Sequence, residues 1–201
     1  MSTESNAVPA GAPAPAARAR RVALQLVAIV ALVALIVWAN LYAAEHDLVR
    51  GAAQRFGYPG ILAAAGLSGF NLMVPIPVIA FYPFFMDVGF AAVPTVAVIA
   101  AGMTLGDLVG YLVGRTAREV MAPRTQGLVG RLERLRERHP VLPFVVMFFY
   151  AAFAPIPNEI LVIPLAFVRY PVGGIFLAVL AGNVIFNSLV AFGVLRIFAM
   201  M

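Results

Sequence analysis

Between Val141 and Val168 the chain is almost wholly apolar, yet its middle holds Ala154-Pro155-Ile156-Pro157-Asn158-Glu159. A run that long exceeds the ~20 apolar residues that span the ~30 Å hydrocarbon layer of a bilayer. Two prolines two positions apart remove backbone donors and clash with the preceding turn, so no straight helix crosses here. A carboxylate follows them, costly in hydrocarbon and a functional candidate by default at that depth. Broken backbone at membrane depth is tolerated only where protein or water surrounds it. The segment therefore reads as one wall of an internal site.

A soluble domain is excluded by composition. Of the 201 residues 63% are hydrophobic and 11% are charged, whereas about a quarter are charged in a soluble domain. All fourteen basic residues are Arg. Cys is absent, which removes disulfides and thiolate metal sites, and the two histidines, His46 and His139, are too far apart for a metal cluster. The net charge of +5 falls beside apolar runs, which points to a membrane surface and not to nucleic acid.

Residues 1–17 are rich in Pro, Ala, Ser and Gly and read as a disordered tail. Arg18, Arg20 and Arg21 precede the apolar run Val22–Ala44, which is too long for a signal-peptide core. It reads as a transmembrane helix with a cytoplasmic N-terminus, in which Gln25 and Asn40 serve as helix–helix glue. Glu45–Tyr58 reads as a short outer surface segment, giving residues 18–58 as a first unit.

The charge-free run 60–86 is interrupted by Pro75-Ile76-Pro77. Its second arm, Val78–Met86, would span only ~13 Å as a helix. Residues 88–114 form a spanning helix with Gly102, Gly106, Gly110 and Gly114 on one face, a stripe for close packing within the chain or in a homo-oligomer. From 115 to 139 seven Arg oppose three Glu, and Leu128, Leu132 and Leu135 repeat at helical spacing, the pattern of a cytoplasmic amphipathic segment. If both Arg clusters are cytoplasmic, an even number of crossings separates them, so one of the three intervening apolar runs enters and leaves on the same side. The broken 60–86 is that run, a re-entrant hairpin from the outer face.

The last third repeats the plan, with a broken 141–168 and a spanning helix over 170–195. A shift of 80 residues lays Pro75-Ile76-Pro77 on Pro155-Ile156-Pro157, Gly102 on Gly182 and Asp107 on Asn187. The second hairpin then enters from the cytoplasm, opposite to the first, and the C-terminus lies outside. The expected fold is all-α and membrane-integral: inverted repeats of a re-entrant hairpin plus a transmembrane helix, as in secondary transporters.

Three stretches carry a family resemblance: Pro75-Ile76-Pro77, the helix segment Leu105-Gly106-Asp107-Leu108-Val109-Gly110-Tyr111-Leu112-Val113-Gly114-Arg115, and Ala154 to Glu159. Over about residues 55–195 the chain resembles the DedA family, also called SNARE-associated Golgi or VTT-domain proteins. The resemblance implies a multi-pass plasma- or inner-membrane protein that moves phospholipids or polyprenyl-phosphate carriers between leaflets, as a scramblase or transporter, with proton dependence in some members. By position Asp107 and Arg115 match the helix motif, Glu159 matches the acid after the hairpin Pro-x-Pro, and Arg169 stands at the end of the second hairpin. Val78 and Ile79 stand where many members carry an acid, and Asn158-Glu159 replace an Arg-rich signature.

The candidate path residues are Glu159, Asp107, Arg115, Arg169, Asn158, Asn183 and Asn187, each with a plainer alternative. Glu159 is a proton carrier or the partner of a cationic group, or is satisfied by freed backbone donors or paired with Arg169 or Arg115. Asp107 belongs to the path or to the polar interface. Arg115 and Arg169 attract a lipid phosphate or anchor the interface. The three Asn line a cavity or bond between helices. Pro75, Pro77, Pro155 and Pro157 break the hairpins. No catalytic set, metal cluster or cofactor-binding loop is present in the sequence, so an enzyme is not expected. The alternatives to lipid movement are a proton-coupled small-molecule exporter, a membrane-embedded lipid-acting enzyme and a non-catalytic scaffold.

Overall fold

A computed structural model of the protein describes residues 15–69, 78–121, 134 and 137–199. The expectations for Pro75, Pro77, Leu128, Leu132 and Leu135 lie outside the described residues. Among those described, every regular element is helical and there is no strand. Contacts divide the chain into residues 1–39 and residues 40–201.

Helix α1 (Pro15–Glu45) begins inside the expected disordered tail. Proline at the first helical position is pre-set for a helix, and the Ala and Arg after it are strong helix formers. Of its described side chains in the first unit, Leu24, Val27, Val30 and Trp38 are exposed.

In the second unit, α2 (Asp47–Gly69) takes in most of the stretch expected to be an outer surface segment. The charged residues there continue a helix, and the change of direction comes at Gly57, with φ 56° and ψ −148°. Only glycine adopts that conformation freely, and Pro59 follows it. Buried Asn40, in the last turns of α1, donates from Nδ2 to the carbonyl of Ala80 at 3.0 Å.

A 3₁₀ turn (Val78–Phe81) leads into α3 (Tyr82–Val88). Helix α4 (Ala92–Met121) runs well past Gly114, because Arg115–Met121 are residues that continue a helix as readily in a polar setting. Then come α5 (Leu142–Phe153), α6 (Glu159–Phe167) and α7 (Val172–Ala199). Among the described residues two stretches, Ala92–Ala117 and Val172–Gly193, are long and apolar enough to cross a membrane. The 9-residue α6 is ~14 Å long and the 12-residue α5 ~18 Å, well short of ~30 Å.

Packing follows a regular scheme. Helix α2 lies on α4 and α5 on α7; α4 also packs on α6 and α7, while α3 and its 3₁₀ turn pack on α7. The glycine stripe is shared between partners. A Cβ on Gly102 would stand 2.6 Å from both the Leu62 carbonyl and the Ala65 Cβ of α2. A Cβ on Gly114 would stand 2.6 Å from the Ile163 carbonyl of α6. Gly182 on α7 repeats the Gly102 contact, against the Phe148 carbonyl at 2.8 Å and Ala151 Cβ at 2.5 Å.

The two short helices end alike. After α3, Gly89 (φ 102°) donates to Met86 and Phe90 to Phe85. After α6, Arg169 (φ 57°) donates to Ala166 and Tyr170 to Leu165. Both are the left-handed C-terminal turn with paired 6→1 and 5→2 bonds, and the corresponding residues stand 80 apart.

Two apolar clusters form the core. One gathers Ile61, Ala65, Ile79, Phe84, Ile99 and Met103; the other gathers Tyr111, Met147, Ala151, Val162, Ala166 and Val179. Phe84, Phe85 and Met147 are thus packed inside, whereas Phe149 is exposed. Outward positions on the long helices are apolar too, with Leu112 56%, Leu177 66% and Phe192 74% exposed.

Candidate functional site

On α4, Thr104 and Asp107 fall between Met103 of the first apolar cluster and Tyr111 of the second. One turn of spacing puts both on the face turned to α6 and α7. Asp107 is 3% exposed and Thr104 1%. The Asp107 Oδ2 accepts from Asn158 Nδ2 at 3.0 Å and from Asn183 Nδ2 at 3.1 Å. Asn158 Nδ2 also reaches Asn183 Oδ1 at 3.2 Å, and Asn183 Nδ2 reaches Thr104 Oγ1 at 3.1 Å. Thr104 in turn donates to the Ala100 carbonyl at 2.7 Å. Three helices are thereby joined through one carboxylate oxygen.

The broken segment makes this geometry. Ala154, at φ −90° and ψ 119°, leaves the helix after α5, and its N–H still bonds the Tyr150 carbonyl at 2.9 Å. Pro155 and Pro157 prevent α5 from continuing. The Pro157 carbonyl accepts from the Ile160 N–H and from the Tyr150 hydroxyl, each at 3.3 Å. Asn158 then starts α6, where an Asn side chain ordinarily caps the first turn. No side-chain cap is formed here. The amide is turned away from its own helix and given to Asp107.

Glu159 is 2% exposed. A Cβ at position 110 would stand 3.1 Å from its Cγ, so Gly110 opens the space that the side chain occupies. Asn187, fully buried one turn beyond Asn183, donates from Nδ2 to the Asn183 carbonyl at 2.7 Å and contacts Met103 Sδ at 3.4 Å. Under the 80-residue shift the pair Asn183–Asp107 becomes Met103–Asn187, and both pairs are in contact.

The structure therefore gathers Asp107, Asn158 and Asn183, seats Glu159 beside them and leaves Asn187 one turn away. Arg115 and Arg169 are exposed and stand outside the cluster. Arg169 occupies the left-handed turn after α6. Thr104 and Tyr111 were not among the expected residues, though their spacing of three and four from Asp107 is the available signal. Tyr111 donates from its hydroxyl to the Tyr170 carbonyl at 2.7 Å.

No family model, curated protein or solved structure matches the chain. The arrangement must then speak through its chemistry. Among the described residues no three His, Cys, Asp or Glu side chains converge on a metal-sized point. What is present is a buried acid held by amides, between helices apolar on their outward sides.

Proposed function

We propose that the protein is an integral membrane protein that moves an anionic lipid between leaflets, a phospholipid or a polyprenyl-phosphate carrier, along a polar path where two opposed re-entrant hairpins meet. The observation that carries this reading is the Asp107–Asn158–Asn183–Thr104 cluster, buried between helices long and apolar enough to cross a bilayer. Amides and a carboxylate at that depth lower the barrier for a head group that hydrocarbon rejects. The hairpins are residues 60–86 from the outer face and 141–168 from the cytoplasm. The shortness of α3, α5 and α6, the matching turns at Gly89 and Arg169 and the matching Gly102 and Gly182 contacts support inverted repeats of this kind. The resemblance to the DedA family supports the choice of lipid as cargo. The protein resides in the cell membrane with its N-terminus in the cytoplasm.

The test is transbilayer movement of leaflet-labelled phosphatidylglycerol and polyprenyl phosphate in liposomes carrying the purified full chain. Acceleration is expected in wild type, with at least a tenfold loss in Asn158→Leu, which replaces the central amide by a side chain of similar size. No acceleration of either lipid would overturn the reading. Chemical conversion of the lipid would replace it with an enzyme.

A further inference from the structure

Helices α3, α4 and α7 line a groove of about 360 Å³. Val93 and Phe192 on its rim are 79% and 74% exposed, so it opens on the apolar outward surface. Along α7 the lining runs from Val184, next in the chain to Asn183 of the polar cluster, to Phe192, ~12 Å away at the helical rise. The 80-residue shift lays this groove on a cavity of the other half that holds only about 10 Å³. Side-chain size separates the two. Val96, Ser188 and Ala191 of the groove correspond to Phe176, Leu108 and Tyr111 of the small cavity, each of them larger. The Tyr111 side chain is also held in place by its bond to the Tyr170 carbonyl. Tyr82, opposite Val162, is the marked exception, and it brings a hydroxyl to the groove.

Tyr82 is 3% exposed, and among the described residues its hydroxyl has no hydrogen-bond partner. Ser188, the other polar side chain of the lining, already donates to the Val184 carbonyl at 2.7 Å. Water needs two to four polar partners to settle in such a place, and this lining offers too few. Tyr82 also stands five residues before the exposed Asp87. That is at most ~8 Å along a helix, about the depth of the ester and head-group zone on each face of a bilayer.

We infer that the groove seats one acyl chain of an outer-leaflet phospholipid, with the Tyr82 hydroxyl donating to an ester oxygen, and that the other half has no such seat. Its volume falls within the roughly 300–1,000 Å³ usual for ligand pockets. The inference rests on the proposed topology, with the first hairpin on the outer side, but not on movement of lipid between leaflets.

The test places phosphatidylglycerol bearing a diazirine in one acyl chain in the outer leaflet of sealed vesicles that hold the full chain in known orientation. After brief irradiation, adducts are mapped by mass spectrometry. Adducts on Val96, Ser188 and Ala191 should exceed severalfold those on Leu189, which is 55% exposed beside the groove. Val96→Phe with Ser188→Leu copies the filled cavity, and should cut the groove adducts about tenfold while leaving Leu189 labelled. Should that protein not fold, Ser188→Leu alone, at a partly exposed position, should give a smaller cut in the same direction. Tyr82→Phe keeps the ring and should leave the groove labelled, with adducts spread along it because the chain has lost its anchor. Groove labelling no stronger than at Leu189, or undiminished in the filled variants, overturns the seat. An unaltered pattern in Tyr82→Phe overturns the anchoring hydroxyl. Lipid crossing without groove labelling strikes the groove alone, whereas groove labelling without crossing upholds it and strikes the transport reading.

Discussion

Asn183 makes two bonds through one amide nitrogen, to Asp107 and to Thr104. Removing it as Asn183→Ala leaves two buried oxygens short of a donor. Hydrogen bonds to charged groups contribute about 1.5–3 kcal/mol in water-soluble proteins, but interhelical bonds in membranes average about 0.6 kcal/mol. The expected loss is therefore about 1–2 kcal/mol, read by reversible unfolding in mixed micelles. Arg169 separates two roles. Its φ of 57° is strained for a side-chain-bearing residue. Arg169→Gly should preserve or raise stability by up to about 1 kcal/mol, because the matching position after α3 is already glycine. If lipid movement persists in that variant, the guanidinium is an interfacial group; if movement fails in a folded protein, it belongs to the path. That Asp107, Asn158 and Asn183 are candidates was legible in the sequence from a carboxylate and Asn within an apolar setting. Their partners were not. Nothing in a single sequence tells that the Asn158 amide forsakes its own helix, or that Thr104 stands within reach of Asn183.

At the scale of elements, the glycine stripe divides α4 between α2 and α6. Gly114→Ala forces a methyl against the Ile163 carbonyl, and backbone cannot swing aside as a side chain can. It should cost about 1–3 kcal/mol. Gly193→Ala, where no atom lies within 4 Å, should stabilise α7 by about 0.5–1 kcal/mol. Equal effects in unfolding assays would contradict the packing described. The periodicity of four made the stripe plain in the sequence. Its division between partners was not, because spacing along one helix carries no information on which helix approaches. Boundaries failed for the same local reason. Pro15 starts a helix within a segment whose composition reads as tail, and α2 begins within the stretch that mixed charge marks only as surface.

At the scale of the molecule, a shift of 80 residues lays Gly102 on Gly182, Gly89 on Arg169, and the pair Asn183–Asp107 on Met103–Asn187. The Pro-x-Pro repeat exposed that register. Poor identity elsewhere is what helices offer when only small residues at crossings and turn residues at ends are constrained. The proposal that the halves are inverted has a direct check, since the chain has no native Cys. Single cysteines at Asp47, Asp87, His139 and Arg169, all exposed positions, are labelled with an impermeant maleimide in sealed vesicles of known orientation. Labelling of Asp47 and Asp87 only from the outer side, and of His139 and Arg169 only from the cytoplasmic side, is the predicted result. Asp47 and Asp87 on opposite sides, or His139 and Arg169 on opposite sides, would mean that a broken run crosses the bilayer and would contradict the account.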